Sequence, residues 1–409
     1  MLKRIDVADL LLGMYLERFE GAWIDHPFWR VRFVLDKPED LQAARASGVR
    51  ECWIDVAKGL DVASAASPAQ AVLGLAPTAP TPPDGPSPTT RPGQPTSMAD
   101  ELDRAAALCQ RSHAAVSTMF AEARMGHALD GEQCQGLVRE ISESVARNPG
   151  ALISLARLKT ADDYTYMHSV AVCALMVSLG RGLGLDDAAC REAGLAGLLH
   201  DLGKALMPPE VLNKPGKLTA EEFAIMRTHP ERGWELLRTG QAVTDAVLDV
   251  CLHHHERIDG TGYPKRLVGD QISLLARMGA VCDVYDAITS NRPYKDGWDP
   301  AESIACMASW LGHFDPPVFV AFVKSLGIYP TGSLVRLVSG KLAVVLEQNP
   351  QTLTLPIVKV FFSTKANLPL PQQVLDLSRS HERIAGREPR QDWNFPQIEG
   401  LWAGDAIGS

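Results

Sequence analysis

His168, the pair His200-Asp201, His229, the pair His254-His255 and Asp283 gather five of the chain's eleven histidines and two of its aspartates into one stretch. Neutral imidazoles and carboxylates are the donors that Mn, Fe, Zn and similar divalent ions take. The series is large enough to hold two ions. Each residue alone also has a plainer reading. His168 opens the apolar run SVAVCALMVSLG and could be a capping or core residue. His229 stands before Pro230, where a helix boundary is expected. The triplet His253-His254-His255 could be a solvated turn. Asp283 is harder to dismiss, because it sits in the apolar stretch MGAVCDVYDAI, and an unpaired buried carboxylate is costly. The joint occurrence is what points to a metal centre.

His200-Asp201 closes the apolar segment AGLAGLLHD, so two donors arrive together where a buried helix meets the loop Leu202-Gly203-Lys204. Adjacent helical residues diverge by about 100 degrees, so they cannot chelate one ion side by side as histidines at i and i+4 do. They can serve two neighbouring ions if Asp201 bridges them with its two oxygens. Two-metal hydrolytic sites, with ions roughly 3.5–4 Å apart, use that arrangement to ready an attacking hydroxide and stabilise a displaced oxygen. Such chemistry suits phosphoester cleavage.

With His-Asp in place the chain resembles the HD superfamily of metal phosphohydrolases. His254 to Pro264, HHERIDGTGYP, matches the HHExxDGxGYP signature of the HD-GYP subfamily. The similarity runs on through HDLGK (His200 to Lys204), PxxxLNKPGKL (Pro208 to Leu218), His229 with Gly233, and Ala276-Arg277 through Asp283 to Arg292-Pro293-Tyr294-Lys295. The resemblance implies a bacterial signalling enzyme that hydrolyses cyclic di-GMP to pGpG, with GMP as a further product. It implies that His168, His200, Asp201, His229, His254, His255 and Asp283 ligate two divalent ions, Fe or Mn, and leaves His253 unassigned. Lys204, Arg292 and Lys295 fall where the family binds the substrate's phosphates. Arg offers a planar fork for such groups and Lys a mobile point charge, although Arg292 and Lys295 could be an ordinary exposed pair. His200, Asp201 and Lys204 form the implied catalytic group.

Two glycines make Gly260 to Pro264 a tight loop. Tyr263 could fill that loop or, as the resemblance implies, meet a partner such as a GGDEF-domain protein. Two rivals stand beside hydrolysis of cyclic di-GMP: a sensor that binds it without turnover, and an HD phosphohydrolase acting on another substrate, such as a hybrid cyclic dinucleotide or a linear nucleotide. The complete ligand set argues for catalysis. One departure concerns metal count, because some HD-GYP proteins carry a third ion held partly by a Glu four residues before the first ligand histidine. That position is Tyr164 here. A neutral phenol, with an ordinary pKa of about 10, is a poor ligand. Asp163 would point roughly 140 degrees away from His168 on a helix, so Asp162 and Asp163 are expected at the helix amino terminus, where negative charge is favourable. Two ions are therefore expected.

The elements that must hold these residues follow from the rest of the chain. At 409 residues it has room for two or three domains. Eight prolines between Pro77 and Pro95 mark a linker over 67–97 with polyproline II character. Before it, residues 1–66 carry short apolar runs, including Val31 to Leu35 and Glu51 to Val56, that read as a small, partly β domain. Trp23, Phe28 and Trp29 flank His26 there and read as core. Residues 98–326 are helix-compatible, and their first segment, Met98 to Arg124, could pair in a homodimer. Residues 327–409 form a β-containing extension: a hairpin around Ser339-Gly340, an added strand from Leu353 to Phe362 placed at an edge by Pro356, and a loosely ordered tail. The fold class is mainly α, an HD-type helical catalytic domain with a β-containing N-terminal domain and a short β-rich C-terminal extension.

A formal charge of -9 argues against a generic DNA or RNA binder. The eight cysteines form no CxxC pair and read as reduced thiols. The amino terminus has neither a secretory apolar stretch nor a span of roughly 20 residues. A cytoplasmic protein without a membrane partner is the expectation.

Overall fold

The computed structural model describes residues 2–19, 33–36, 38–46, 51–60, 96–127, 131–158, 164–240, 243–291, 297–393, 395 and 398–404. Met1–Ser87 and Pro88–Ser409 are separate compact units. In the first, β1 (Leu2–Asp6), β2 (Tyr15–Phe19), β3 (Phe33–Val34) and β4 (Glu51–Asp55) form a sheet in the order β1-β4-β2-β3, accompanied by helix α1 (Pro38–Ala46). Strand β4 alternates, so Cys52 and Ile54 turn inward onto Leu10, Met14, Leu16 and Leu35. That period of two is what a strand with one buried face requires. Trp23, His26, Phe28, Trp29 and all but the last two residues of the proline-rich segment lie outside the described residues.

The second unit is helical through α2 (Met98–Arg124), α3 (Gly131–Arg147), α4 (Pro149–Arg157), α5 (Tyr164–Gly182), α6 (Asp187–Leu199), α7 (Pro209–Leu212), α8 (Ala220–Met226), α9 (His229–Leu237), α10 (Asp245–His253), α11 (Leu274–Thr289), α12 (Pro300–Ala308) and α13 (Pro316–Leu326). Helix α5 is buried on every side from Val170 to Leu179. A helix apolar all round belongs at the centre of a bundle, and α2, α4, α6, α11 and α13 pack around it. No described helix is long and apolar enough to cross a membrane.

Helix α2 turns Leu102, Ala105, Leu108, Val116, Met119 and Phe120 into this same core. Its buried Glu101 is held by Arg147 through two bonds of 2.8 Å and by Ser144 Oγ at 2.9 Å. The apolar face of the long segment is thus covered by its own domain.

The C-terminal sheet runs β8-β7-β6-β5-β9, from β5 (Leu334–Leu337), β6 (Lys341–Glu347), β7 (Ile357–Ser363), β8 (Leu368–Asp376) and β9 (Ile384–Arg387). The expected hairpin is β5 and β6, turning at Gly340 with φ +84. Two expectations are corrected. Pro356 precedes β7, and that strand lies inside the sheet, because its amides from Ile357 onward remain available to both neighbours. The prolines within a strand are Pro369 and Pro371 on edge strand β8, where a missing donor is tolerated. The tail is also more ordered than its polar composition suggests. Strand β9 pairs with β5, Trp393 and Phe395 pack edge-on against Phe362, both with centroids 5.4 Å away, and Trp402 of α14 (Gly400–Ala403) enters the main helical core.

Backbone contact sets the position of α9. After α6 the chain tightens into a 3-10 turn, Leu202–Leu206, and this turn meets the start of α9 at Gly203 and Gly233. A Cβ on Gly203 would stand 1.9 Å from the His229 carbonyl oxygen and 2.6 Å from the Gly233 nitrogen. Only glycine permits that approach, which brings His229 beside His200-Asp201. Gly203→Ala should therefore lower stability by about 1–3 kcal/mol through overpacking. Gly136→Ala, on α3 with open space around its Cβ, should raise stability by about 0.4–1 kcal/mol. Denaturant titration of the two variants reads both signs.

Candidate metal centre

Each donor reaches the centre from a different element, and most sit at helix ends. His168 projects from the first turns of α5, His200 and Asp201 follow the last residue of α6, His229 begins α9, His254 and His255 follow α10, and Asp283 lies within α11. His168, His200, His229 and His254 are each 1% exposed and Asp201 is 0% exposed. The triplet is thus no solvated turn. His253, its first member, bonds Asp249 at 2.7 Å. Asp249 also accepts from Ser273, the cap of α11, so His253 joins two helices rather than the centre.

Two groups of donors converge, and Asp201 belongs to both. One comprises His168, His200, Asp201 and Asp283; the other comprises Asp201, His229, His254 and His255. Within each, the ligand atoms lie within 4.8 Å of one another. Asp201 Oδ2 faces the first group, 3.4 Å from His168 Nε2 and 3.3 Å from His200 Nε2. Its Oδ1 faces the second, 3.1 Å from His229 Nε2 and 3.7 Å from His254 Nε2. Asp283 also spans the centre, with Oδ1 3.0 Å from His168 Nε2 and Oδ2 3.7 Å from His255 Nδ1.

The imidazoles are oriented from behind. Nδ1 of His200 donates to the Gly197 carbonyl at 2.8 Å, Nδ1 of His229 to Met226 at 2.8 Å, and Nδ1 of His254 to Cys251 at 3.0 Å. His168 Nδ1 bonds Asp286 Oδ2 at 2.7 Å, and Asp286 Oδ1 accepts from Ser290 Oγ at 3.0 Å. Each ring is thus oriented through its outer nitrogen, so that Nε2, once unprotonated, turns its lone pair to the centre. His200 Nε2 and Asp201 Oδ1 are buried without a hydrogen-bond partner. Inward lone pairs, two shared carboxylates and such orphaned atoms fit a pair of divalent cations.

The charge states fit as well. Burial works against ionising Asp201, yet Lys204 and His200 outweigh it and hold the carboxyl well below its usual range. Burial likewise opposes Asp283, and the bond from His168 with His200 close beside it holds it well below. Burial pushes His254 down to about 3, reinforced by the charge of His200, and pushes His255 well below the ordinary value. For His168 burial also pushes down, but bonds to Asp201, Asp283 and Asp286 prevail and raise it to about 10. The three carboxylates around that ring create a strong preference for positive charge.

Lys204 sets its ammonium 2.5 Å from Asp201 Oδ2 at the partly exposed edge of the centre. Across from it the loop after α10 folds back: Tyr263 N donates to the His255 carbonyl at 3.2 Å, and the Tyr263 ring stacks on His255 with centroids 4.6 Å apart. The Arg227 guanidinium lies over the Tyr263 ring, 4.5 Å from its centre. Glu256, 2% exposed, closes this loop by accepting from Lys265 N at 2.6 Å and Leu267 N at 3.1 Å. Gly262 is required because a Cβ there would stand 2.4 Å from the Arg257 nitrogen.

The chain's likeness to known proteins agrees with this geometry. The HD domain family matches residues 141–318, and a domain of unknown function, DUF3391, matches residues 2–134. The cyclic di-GMP phosphodiesterase PA4108 of Pseudomonas aeruginosa is 57% identical over 408 residues, covering 99% of this chain and 96% of that protein. The chain belongs to the HD-GYP family. The cyclic di-GMP phosphodiesterase response regulator RpfG of Xanthomonas campestris pv. campestris is 39% identical over 193 residues, 46% of this chain and 51% of RpfG. The 3'3'-cGAMP-specific phosphodiesterase 2 of Vibrio cholerae is 36% identical over 182 residues, 44% of this chain and 34% of its own.

All seven residues expected to ligate metal from the HD-GYP resemblance come together in one place. Arg292 and Lys295 lie outside the described residues, as does the side chain of Tyr164; α5 begins at Tyr164 itself. Sequence reasoning missed Asp286, Glu256 and Arg227. Asp286 had a signal: it follows Asp283 by three residues on an apolar helix, the spacing that puts two side chains on one face. Asp286→Asn should keep the fold but weaken divalent-ion binding by roughly 10- to 100-fold, as loss of an orienting carboxylate does. Equilibrium dialysis against a competing chelator measures the change.

Proposed function

We propose that this HD-GYP chain hydrolyses cyclic di-GMP to linear pGpG at a centre of two divalent ions. The observation that carries the reading is the division of Asp201's two oxygens between two groups of buried donors. The substrate is supported by likeness over nearly the whole chain to a relative named for cyclic di-GMP. The 3'3'-cGAMP-specific relative covers less than half of it.

When bound, paired divalent ions make water a nucleophile near neutral pH and offset the charge of a phosphodiester. The chain's own residues do the rest. Asp201 and Asp283 fix the separation of the two donor groups, and the backbone carbonyls behind His200, His229 and His254 keep their lone pairs aimed. Lys204 can turn its ammonium from Asp201 toward a phosphate oxygen and stabilise charge developing there. Arg292 and Lys295 hold the other phosphate in this proposal. Tyr263, stacked on His255, forms the wall beside the reacting bond.

Mixed imidazole and carboxylate ligation supports Fe or Mn. Tyr164 in place of a carboxylate supports two ions rather than three, and GMP is a slower second product. None of the eight cysteines is disulfide-bonded, which supports a cytoplasmic location. The loop Gly260 to Pro264 is the proposed contact for a GGDEF-domain protein. Homodimerisation, in this reading, uses the outward face of α2, since its apolar face is occupied.

His200→Ala and Asp201→Ala should each abolish turnover of cyclic di-GMP in purified, metal-loaded protein. Product formation at the wild-type rate would refute the centre, and tight nucleotide binding by a wild-type chain that forms no product would restore the sensor reading. Turnover of cyclic di-GMP, cyclic GMP-AMP and cyclic di-AMP on one preparation should favour the first. Elemental analysis of the loaded protein should find two ions per chain; a third well-occupied ion would overturn the assignment at Tyr164.

A further inference from the structure

A second cavity, of about 270 Å³, lies where the C-terminal extension meets α4, α11 and the end of α13. None of the seven candidate metal ligands lines it. Its body is apolar, with Ile153, Leu175, Leu326 and Leu353 on its walls. Charged side chains at its margin are Arg147, Lys324, Asp286 and Glu347 as well as Arg157, and Arg157 is the one that is only 7% exposed and has no carboxylate bonded to it.

The guanidinium carries five donors and stays charged at any ordinary pH. Among the described residues, Arg157 has one hydrogen bond, from Nη2 to the Thr331 carbonyl at 3.4 Å, and no carboxylate within ion-pair reach. The other arginines nearby are treated differently: Arg147 is forked onto Glu101, and Arg390 donates to Glu399 and to the Gly332 carbonyl. Asp299 and Glu399 favour the charge of Arg157 only from beyond ion-pair distance, and a buried cation without a contacting counter-charge destabilises the fold that holds it. An anionic group would satisfy Arg157.

We propose that this cavity binds a small organic anion, with its carboxylate or phosphate on Arg157 and its apolar body along Ile153 and Leu326. The volume sits just under the ~300 Å³ at which ligand pockets begin, so the occupant is a small metabolite and not a dinucleotide. The site goes beyond the hydrolytic reading and does not depend on it.

The test uses the full-length, metal-loaded protein with 4-hydroxybenzoate and 4-hydroxyphenyl phosphate as probes and 4-hydroxybenzamide as the neutral control. At least one anion should raise Tm by several degrees, the two probes separating carboxylate from phosphate, while the amide leaves Tm unchanged. Arg157→Met should abolish the shift and, by removing an uncompensated charge, raise the Tm of the ligand-free protein. Ser154→Phe keeps the arginine, fills the cavity and should also abolish the shift. No shift with either anion, a shift that survives in both variants, or an Arg157→Met protein less stable than wild type would each overturn the proposal.

Discussion

Asp201 is a carboxylate with no exposed surface, and an ionised group so placed must be surrounded by groups that favour its charge. Its two oxygens look in different directions, toward His168 and His200 on one side and His229 and His254 on the other. Elements from α5 to α11 must therefore end or pass at one point. The apolar packing of α5 brings them close, but apolar packing alone does not fix a carboxylate to within an ångström. That accuracy comes from the bonds behind the histidines, each tying a ring to the backbone or to Asp286.

The same demand explains features that would otherwise be separate. Helices α6 and α10 stop just before their donors, because a residue past the last turn can project along the helix axis, which a mid-helix residue cannot. The 3-10 turn after Asp201 packs glycine against glycine on α9, and this places His229 within reach. Glu256 takes two backbone amides across the loop that follows the second histidine pair, so Tyr263 is laid on His255 by the backbone itself. Buried polar groups of this kind tolerate no half measures: each must be satisfied or the region loosens.

The ligand histidines and aspartates were legible in the sequence because metal chemistry restricts residue type, and a restricted type at seven positions is visible without coordinates. The helical domain and the two β regions were legible from periodicity. Asp286 was not, since its role depends on which way one ring nitrogen of His168 points. Glu256 stood inside the quoted signature, yet its partners are backbone amides beyond it, and an amide has no residue type to read. Pro356 misled because a proline just before a strand and one inside it look alike in a run of β-formers. The tail misled because Trp393, Phe395 and Trp402 are too few among polar residues to show a period, although the first two pack together on Phe362 and the third enters the helical core.

The groups around the centre divide by rigidity. Donors that must hold a cation are carried by helices and their immediate ends, where packing fixes them. Among the described residues, the cations suited to phosphate come from less regular backbone: Lys204 from a 3-10 turn and Arg227 from the end of α8. A metal centre gains from fixed geometry, since a small displacement of a ligand is felt directly in affinity. A phosphodiester that changes shape as it opens needs charges able to follow it, and Lys204 illustrates the point. Its ammonium already has a partner in Asp201, and cations held by Asp201 would offset that carboxylate's charge and leave the lysine free to meet a phosphate in the reaction proposed above.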